Sequence, residues 1–136
     1  MIRKKKILIA PLDWGLGHAT RCIPVVRELL AQDAKVAIAA DGRPYDLLKR
    51  EFPSLEFIHL PGYAIKYPSG DGIAAEMIRQ IPKIVFMTYQ EQRSLRKLIQ
   101  KLQIDAVISD NRFGLYSRKI PCAYITHQGF GHGYFY

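Results

Sequence analysis

The amino-acid sequence predicts an α/β fold built on an open parallel β-sheet with helices on both of its faces. Short apolar runs of strand length alternate with helical patterns from one end of the chain to the other. These runs are continuously apolar, which is typical of strands that are covered on both faces. The 136 residues, of which 49% are hydrophobic and 24% charged, suit a single domain with a core of its own.

Five strands are predicted from short runs that are rich in valine, isoleucine and aromatic residues. They are KILIA (6–10), KVAIAA (35–40), LEFIHL (55–60), DAVISD (105–110) and CAYITH (122–127). Parallel strands need crossover connections, and such crossovers are right-handed in nearly all proteins. The alternation of strands and helices therefore predicts a half-Rossmann sheet with the strand order 3-2-1-4-5.

Two shorter helical patterns follow the first and second strands. The first comes after a glycine-containing turn and repeats apolar residues at helical spacing up to Leu30. We expect Pro24 to lie in its first turn, where a missing N–H costs no hydrogen bond. The second pattern, RPYDLLKREF (43–52), is ended by Pro53.

The third helical pattern, 72–101, is long and contains Pro82, which we expect to kink or divide it. The segment LPGYAIKYPSGDG (60–72) before it is longer than a minimal strand-to-helix connection. Loops at the carboxyl ends of parallel strands are where such sheets bind ligands. The segment is therefore either a binding loop or a plain surface loop.

The chain is strongly basic, with a net charge of +8 and a pI of about 9.6. Such a charge attracts phosphates, nucleic acid or an anionic lipid surface, or else reflects only a solvated basic surface. The basic residues are spread along the chain, and the sequence has no RNP-like, zinc-finger or helix-turn-helix pattern. Nucleic acid is therefore not expected as a partner.

The two cysteines, Cys22 and Cys122, are far apart and belong to no CxxC motif or His/Cys cluster. They predict a reducing compartment and no zinc or other metal site. The sequence has no run of about 18 apolar residues, and its basic start leads into a strand rather than a cleavage site. We therefore expect a cytoplasmic location.

The stretch GLGH (15–18) joins the first predicted strand to the first helix. A helix N-terminus offers free N–H groups and a partial positive charge, which suit an anion. Gly15 and Gly17 allow a tight turn and close approach of a ligand to the backbone. Ala19 and Thr20 follow where a dinucleotide fingerprint has its third glycine, so a nicotinamide-dependent dehydrogenase is not favoured.

A purely structural turn does not need the histidine of this stretch, His18. The helix dipole disfavours its imidazolium form, and a neutral imidazole at a cleft can take a proton from a hydroxyl group. The strand order brings Asp110, at the end of the fourth strand, beside the end of the first. We expect the two residues to meet as a base and its orienting carboxylate, with packing and capping roles as the alternatives.

The opening ILIAPLDWGLGHATRCIPVVRELL resembles the N-terminal signature of GT-B glycosyltransferases of the MurG-like kind, which are glycosyltransferase family 28-like. In that signature a strand runs into a glycine turn, followed by Gly-His and by a proline in the helix. Gly17, His18 and Pro24 fill those places, and Arg21 stands where the proline usually falls. The motifs GHATR and SDNRFG resemble a bacterial branch of glycosyltransferase-like proteins, and the resemblance covers nearly the whole chain.

The resemblance implies that residues 1–136 form one Rossmann-like domain, the N-terminal, acceptor-side half of a GT-B fold, with the C-terminal donor domain absent. It implies a glycosyltransferase of the hexosyl or N-acetylhexosaminyl type that uses a nucleotide-sugar donor and a lipid-linked or glycan acceptor. His18 would be the general base and Asp110 its partner. No cofactor is implied, since the nucleotide sugar is a co-substrate, and the sequence has no Asp-x-Asp metal motif.

The same resemblance implies a set of residues that bind substrate or phosphate. They are Trp14, Gly15, Leu16, Gly17, Arg21, Arg112, His127 and Gln128. The glycine turn would contact the donor phosphates, and Trp14 would stack on a sugar. Arg21 and Arg112 would meet a phosphate or an acidic acceptor group, or else be solvated.

Other interpretations stay open at this point. The chain could be a non-catalytic binding or assembly subunit that recruits a separate donor domain or a membrane, or another nucleotide-sugar enzyme such as a hydrolysing epimerase. Apolar residues 84–87, flanked by Lys66, Arg79 and Lys83, suggest peripheral contact with an anionic membrane at its inner face, with packing on the sheet as the alternative. An open sheet edge after the fifth strand favours a homo-oligomer.

Overall fold

The computed structural model of the chain describes residues 3–13, 15–61, 70, 72–112 and 114–126. Its strands are β1 (Lys6–Pro11), β2 (Lys35–Ala40), β3 (Glu56–His59), β4 (Ala106–Asp110) and β5 (Cys122–Ile125). Its helices are α1 (Gly17–Ala31), α2 (Gly42–Glu51) and α3 (Ile73–Leu102). The strands form one parallel sheet in the order β3-β2-β1-β4-β5. This confirms the α/β class and the strand order 3-2-1-4-5 predicted from the sequence.

The sheet has a buried apolar cluster on each face. Successive side chains of a strand point to opposite faces, so Leu8 and Ala10 of β1 belong to one cluster and Ile9 to the other. Helices α1 and α2 cover the face of Ile9 through Ala19, Cys22, Val26 and Leu48. Helix α3 covers the opposite face through Leu95, Leu98, Ile99 and Leu102. The continuously apolar strands therefore reflect burial on both faces, as the sequence indicated.

Helix α1 begins at Gly17, earlier than the position of Pro24 suggested. Pro24 is the eighth residue of this helix, so it lies inside the helix and not in the first turn. The expectation that it costs no hydrogen bond is wrong, because a proline has no N–H to offer the carbonyl of Thr20. No side chain caps the start of the helix, where Leu16 is the N-cap residue.

Helix α3 is continuous over 30 residues, so Pro82 does not divide it. The helix ends where Gln103 adopts a left-handed conformation, with φ of 54°, and its N–H bonds to the carbonyl of Ile99. The buried apolar residues of α3 lie in its C-terminal half, whereas several large apolar residues of its N-terminal half are exposed. Within the described part of the chain, no helix is long and apolar enough to span a bilayer.

Candidate functional site

The carboxyl ends of β1 and β4 lie side by side at the centre of the sheet. Pro11 is in register with Asp110, and the N–H of Leu12 donates to the carbonyl oxygen of Asp110 at 3.0 Å. The turn that follows β1 therefore begins directly beside Asp110. Since helix α1 starts a few residues later, its first turn is brought to the same point.

His18, the second residue of α1, reaches Asp110 there. Its Nδ1 lies 3.1 Å from Oδ1 of Asp110, although the two residues are 92 positions apart. The side chain of Asp110 is 1% exposed and that of His18 is 15% exposed. The approach expected from the strand order is therefore present in the structure.

Arg21 is the third member of this group, one turn after His18 on the same face of α1. Its Nη2 donates to Oδ1 of Asp110 at 2.7 Å and lies 2.8 Å from Nδ1 of His18. The side chain of Arg21 is 30% exposed. We refer to His18, Arg21 and Asp110 together as the edge cluster, a group that combines a basic ring, a carboxylate and a guanidinium.

Three buried polar atoms at or beside the edge cluster have no hydrogen-bond partner within the part of the chain that the structure describes. They are Oδ1 of Asp13, Nε of Arg21 and Oδ2 of Asp110. Asp13 belongs to the turn after β1, where its carbonyl accepts the N–H of Gly15 at 3.1 Å. Buried polar groups normally have partners, so the edge cluster keeps capacity for a ligand or for water.

Only one of the two glycines in the turn, Gly15, has the left-handed backbone conformation that favours glycine. Gly15 has φ of 76°, which side-chain-bearing residues rarely adopt, whereas Gly17 has no positive φ. Open space lies beside both, since a Cβ built on either would meet no atom within 4 Å. Gly15 is therefore needed for the backbone conformation, and both positions leave room for a ligand.

Arg112 lies in the interior of the fold, so the alternative that it is solvated is wrong, while its binding of an anion stays a prediction. Its side chain is fully buried and pairs with Glu91, with Nη2 2.6 Å from Oε1. It also donates to the carbonyl oxygens of Leu60 and Pro61. Its guanidinium is thus occupied by internal acceptors, although Arg112 is also among the residues that line the groove described below. The sequence did not predict the pairing with Glu91, because burial of an arginine beside a distant carboxylate cannot be seen in local sequence.

Trp14, His127 and Gln128 lie outside the described residues, as do Lys66 and most of the predicted binding loop.

A groove of about 1010 Å³ is lined by residues of the segment 109–126, among them Tyr116 and Tyr124, and the edge cluster does not line it. Among the described residues, no group of three or more His, Cys, Asp or Glu side chains could hold a metal ion.

Sequence reasoning missed the link between Arg21 and Asp110. The spacing of three residues between His18 and Arg21 places them on one helix face, so a partner of one is within reach of the other. It also missed the effect of the site on Cys22, which lies beneath it. The pKa of the Cys22 thiol is raised to about 12, mainly by burial; the negative charge of Asp110 contributes to the rise and Arg21 opposes it.

The open parallel sheet in the order 3-2-1-4-5 is Rossmann-like, and comparisons with known proteins relate it to the Rossmann-like half of GT-B glycosyltransferases. No family model matches the chain. A protein of Methanosarcina acetivorans named as an uncharacterized glycosyltransferase is 32% identical over 131 residues, which are 90% of this chain and 32% of that protein. The chain thus spans about a third of this relative. The relative is archaeal, so the expected bacterial origin gains no support.

Solved structures show the same fold. MurG of Acinetobacter baumannii has a TM-score of 0.55 at 20% identity, over 94% of this chain and 37% of that one. Phytolacca americana UGT2, complexed with UDP-2-fluoro-glucose and pterostilbene, has a TM-score of 0.55 at 20% identity, over 90% of this chain and 29% of that one. The chain is similar to glycosyltransferases and fits an N-terminal GT-B-like domain.

Proposed function

We propose that this chain is the acceptor-side half of a nucleotide-sugar-dependent glycosyltransferase, with His18 as the general base. The observation that carries the proposal is the contact of His18 Nδ1 with Oδ1 of the buried Asp110. A carboxylate that holds the Nδ1 proton leaves Nε2 with a lone pair for an acceptor hydroxyl group. The relative's name and the fold support glycosyl transfer, and the transferase type we expect is hexosyl or N-acetylhexosaminyl.

The proposed reaction is a direct displacement. The acceptor oxygen bonds to the anomeric carbon of the donor while its proton moves to Nε2 of His18. The bond from the anomeric carbon to the nucleoside diphosphate breaks, and the diphosphate leaves with the electron pair. Asp110 stabilises the imidazolium that forms, and the first N–H groups of helix α1, which begins at Gly17, are offered to the phosphates. The UDP-sugar complex among the structural neighbours supports a nucleotide-sugar donor.

The test is release of nucleoside diphosphate from a panel of nucleotide sugars, with lipid-linked and glycan acceptors. It is run on the full-length product of the gene that encodes this chain, whatever its length. We expect His18→Ala to lower kcat by about a hundredfold or more without weakening donor binding. His59→Ala is the matched control, because His59 is an exposed histidine at the end of β3 that stacks on Tyr45. Turnover of His18→Ala at the wild-type rate would overturn the role of His18 as the base, and no nucleotide release by the wild type would favour a non-catalytic subunit.

A second part of the proposal concerns helix α3, which carries an exposed apolar stripe. Large apolar side chains recur there at intervals of three or four residues, at Ile78, Ile81, Val85 and Tyr89, with Phe86 next to Val85, and each is 51–66% exposed. Arg79 and Lys83 border the stripe on one side of the helix, and the chain carries a net charge of +8. We propose that the stripe contacts an anionic membrane surface, since apolar residues flanked by basic ones suit such a surface.

Flotation with lipid vesicles tests the membrane contact. We expect binding to vesicles that contain an anionic phospholipid, weaker binding to neutral ones, and a several-fold loss in Tyr89→Ser. Tyr116→Ser is the matched control, because Tyr116 is a tyrosine of similar exposure, 51%, that lies off the stripe. Equal loss in both variants, or equal binding to neutral vesicles, would contradict the assignment.

A further inference from the structure

Asn111, the residue after β4, has a backbone conformation that residues with a side chain rarely adopt. Its φ is 57°, in the left-handed region. The other described residues with a side chain and a positive φ are Asp33 and Gln103, and each follows the end of a helix by one or two residues. Helices commonly end in this conformation. Asn111 follows a strand instead, so the end of a helix does not explain its conformation.

The residues on either side of Asn111 carry buried charges that point to opposite faces of the sheet. Asp110 contacts His18 on helix α1, and its side chain is 1% exposed. Arg112 contacts Glu91 on helix α3, and its side chain is fully buried. Helices α1 and α3 cover opposite faces of the sheet. Two consecutive turns of direction are therefore needed between these neighbouring charges, one at each side of the sheet.

A regular strand would not produce this arrangement. Its side chains alternate between the two faces, so the residues before and after Asn111 would share a face. The alternation holds within β4, where Val107 belongs to the cluster under α3 and Ile108 packs on the cluster under α1 and α2. It ends at Asn111, whose N–H still donates to the carbonyl oxygen of Ile125 at 3.0 Å. The left-handed residue therefore reverses the direction of the side chain that follows it.

A hydrogen-bonded turn holds Arg112 on the α3 side of the sheet. The hydroxyl group of Ser109 donates to the carbonyl oxygen of Arg112 at 2.8 Å, and the N–H of Arg112 donates to the same hydroxyl oxygen at 3.3 Å. Without the reversal, the guanidinium would share a face with the carboxylate of Asp110 and would compete with His18 for it. The conformation of Asn111 thus reserves the carboxylate for the side chains of α1.

We propose that Asn111 is a positioning residue whose left-handed backbone aims the carboxylate of Asp110 at His18 and turns the next side chain to the other face. Asparagine suits this role because it tolerates the left-handed region better than most residues with a side chain. Asn111 acts through its backbone, although its Oδ1 also accepts a hydrogen bond from the hydroxyl group of Tyr124 at 3.2 Å. The catalytic consequence, a correctly held His18, rests on the proposed function.

NMR of the His18 ring in the 136-residue chain tests the positioning. His18→Gln assigns the ring signals, and Asp110→Asn shows where they lie when the carboxylate is removed. We expect Asn111→Val, whose β-branched side chain disfavours a positive φ, to move the signals toward those of Asp110→Asn. Asn111→Gly, which keeps this φ accessible and removes the amide, should leave them near their wild-type positions. Gln103→Val is the matched control, because Gln103 has nearly the same φ, 54°, at the end of α3, and it should leave the His18 signals unchanged.

Unchanged His18 signals in a folded Asn111→Val chain would overturn the inference. Equal displacement of the signals in Asn111→Gly and Asn111→Val would also overturn it, because the effect would then come from the lost amide and not from the backbone. Should Asn111→Val fail to fold, which its amide spectrum reveals, Asn111→Ala takes its place, since alanine is not β-branched and is strained less at a positive φ. The same two outcomes then decide, and an Asn111→Gly chain that fails to fold contradicts the inference directly.

Kinetics separate this inference from the proposed function. In the full-length gene product, Asn111→Val should lower kcat by about tenfold to a hundredfold with KM little changed, whereas Asn111→Gly should keep most of the activity. In an Asp110→Asn background, Asn111→Val should lower kcat no further, because it acts through the carboxylate. A further loss of the same size in that background would overturn the positioning role. If the wild type releases no nucleotide, the proposed function fails, while the NMR result still decides what the backbone of Asn111 does.

Discussion

The guanidinium of Arg112 donates twice to Oε1 of Glu91, from Nε at 2.9 Å and from Nη2 at 2.6 Å. Both side chains are buried, with 0% and 4% of their surfaces exposed. The same guanidinium also donates to the carbonyl oxygens of Leu60 and Pro61 at 3.3 and 2.6 Å. Arg112 thus joins helix α3, the chain after β3 and the turn after β4 from the inside of the molecule.

Arg112→Met should lower the free energy of unfolding by about 3–5 kcal/mol, because it removes the guanidinium that pairs with the buried carboxylate of Glu91. The double variant Glu91→Leu, Arg112→Met should lose less, since it removes both charges. Urea unfolding followed by circular dichroism measures both. Arg27→Met is the control, with an expected loss of about 0–1 kcal/mol for its exposed pair with Glu51. Equal losses in the free energy of unfolding of Arg112→Met and Arg27→Met would show that the buried pair contributes no more stability than the exposed one.

Gly114→Ala should destabilise the fold, because helix α3 leaves no room for a side chain there. A Cβ at this position would lie 2.7 Å from the carbonyl oxygen of Thr88 and 2.7 Å from Cβ of Glu91. We expect a loss of about 1–3 kcal/mol in the free energy of unfolding, from thermal or urea unfolding. Gly17→Ala, with nothing within 4 Å of its new Cβ, should change it by about 1 kcal/mol or less. The packing argument fails if the two alanine variants are equally stable.

Cys22 should be far less reactive than Cys122 toward a thiol reagent. Burial raises the pKa of the Cys22 thiol to about 12, so little of the reactive thiolate is present near neutral pH. In contrast, Cys122 is half-buried. We expect one fast and one slow thiol in the folded chain and two fast thiols in urea, measured by absorbance with a disulfide reagent. Cys122→Ser should remove the fast phase, and two equally fast thiols in the folded chain would contradict the prediction.

The carboxyl group of Asp105 should make the free energy of unfolding depend on pH under acidic conditions. The backbone N–H of Lys6, at 2.8 Å from Oδ2, holds the pKa of this carboxyl below its ordinary value of 3.8, with burial opposing and Arg3 adding to the effect. A lowered folded pKa gives stability that is present above pH 3.8 and is lost as the pH falls through the folded value.

Asp105→Asn should therefore be less stable than the wild type near neutral pH, and the difference should shrink as the pH falls toward about 2. Urea unfolding over this pH range measures it. Asp46→Asn, at an exposed position of α2, serves as the control and should change little. A difference between Asp105→Asn and the wild type that stays constant with pH would rule out this linkage.

Much of the fold was predictable because it follows from local pattern and from a rule of chain topology. The bounds of the strands and of α2 and α3 agree with the structure to within two residues. The start of α1 was less well predicted, because Pro24 was taken as a marker of the first turn and instead lies inside the helix. Helix α1 tolerates this residue because it packs on the sheet through Ala19, Cys22 and Val26.

The approach of His18 and Asp110 was also predictable, since the strand order alone brings the ends of β1 and β4 together. The catalytic roles of the two residues stay predictions. The exposed stripe of α3 is a mixed case. The sequence identified residues 84–87 as apolar, whereas the structure shows which side chains face outward: Val85 and Phe86 are exposed, and Ile84 and Met87 are half-buried.

The sequence by itself determined the type and order of the elements, the parallel sheet and the edge at which polar side chains collect. Only the tertiary structure decided which carboxylates the two predicted anion-binding arginines pair with. Arg21 pairs with Asp110, 89 positions away, and Arg112 turns inward to Glu91, 21 positions away. Strand and helix patterns arise from apolar burial with a short period along the chain, so they can be read locally. A buried charge is instead neutralised by whichever opposite charge the fold brings near, and that choice exists only once the chain has folded.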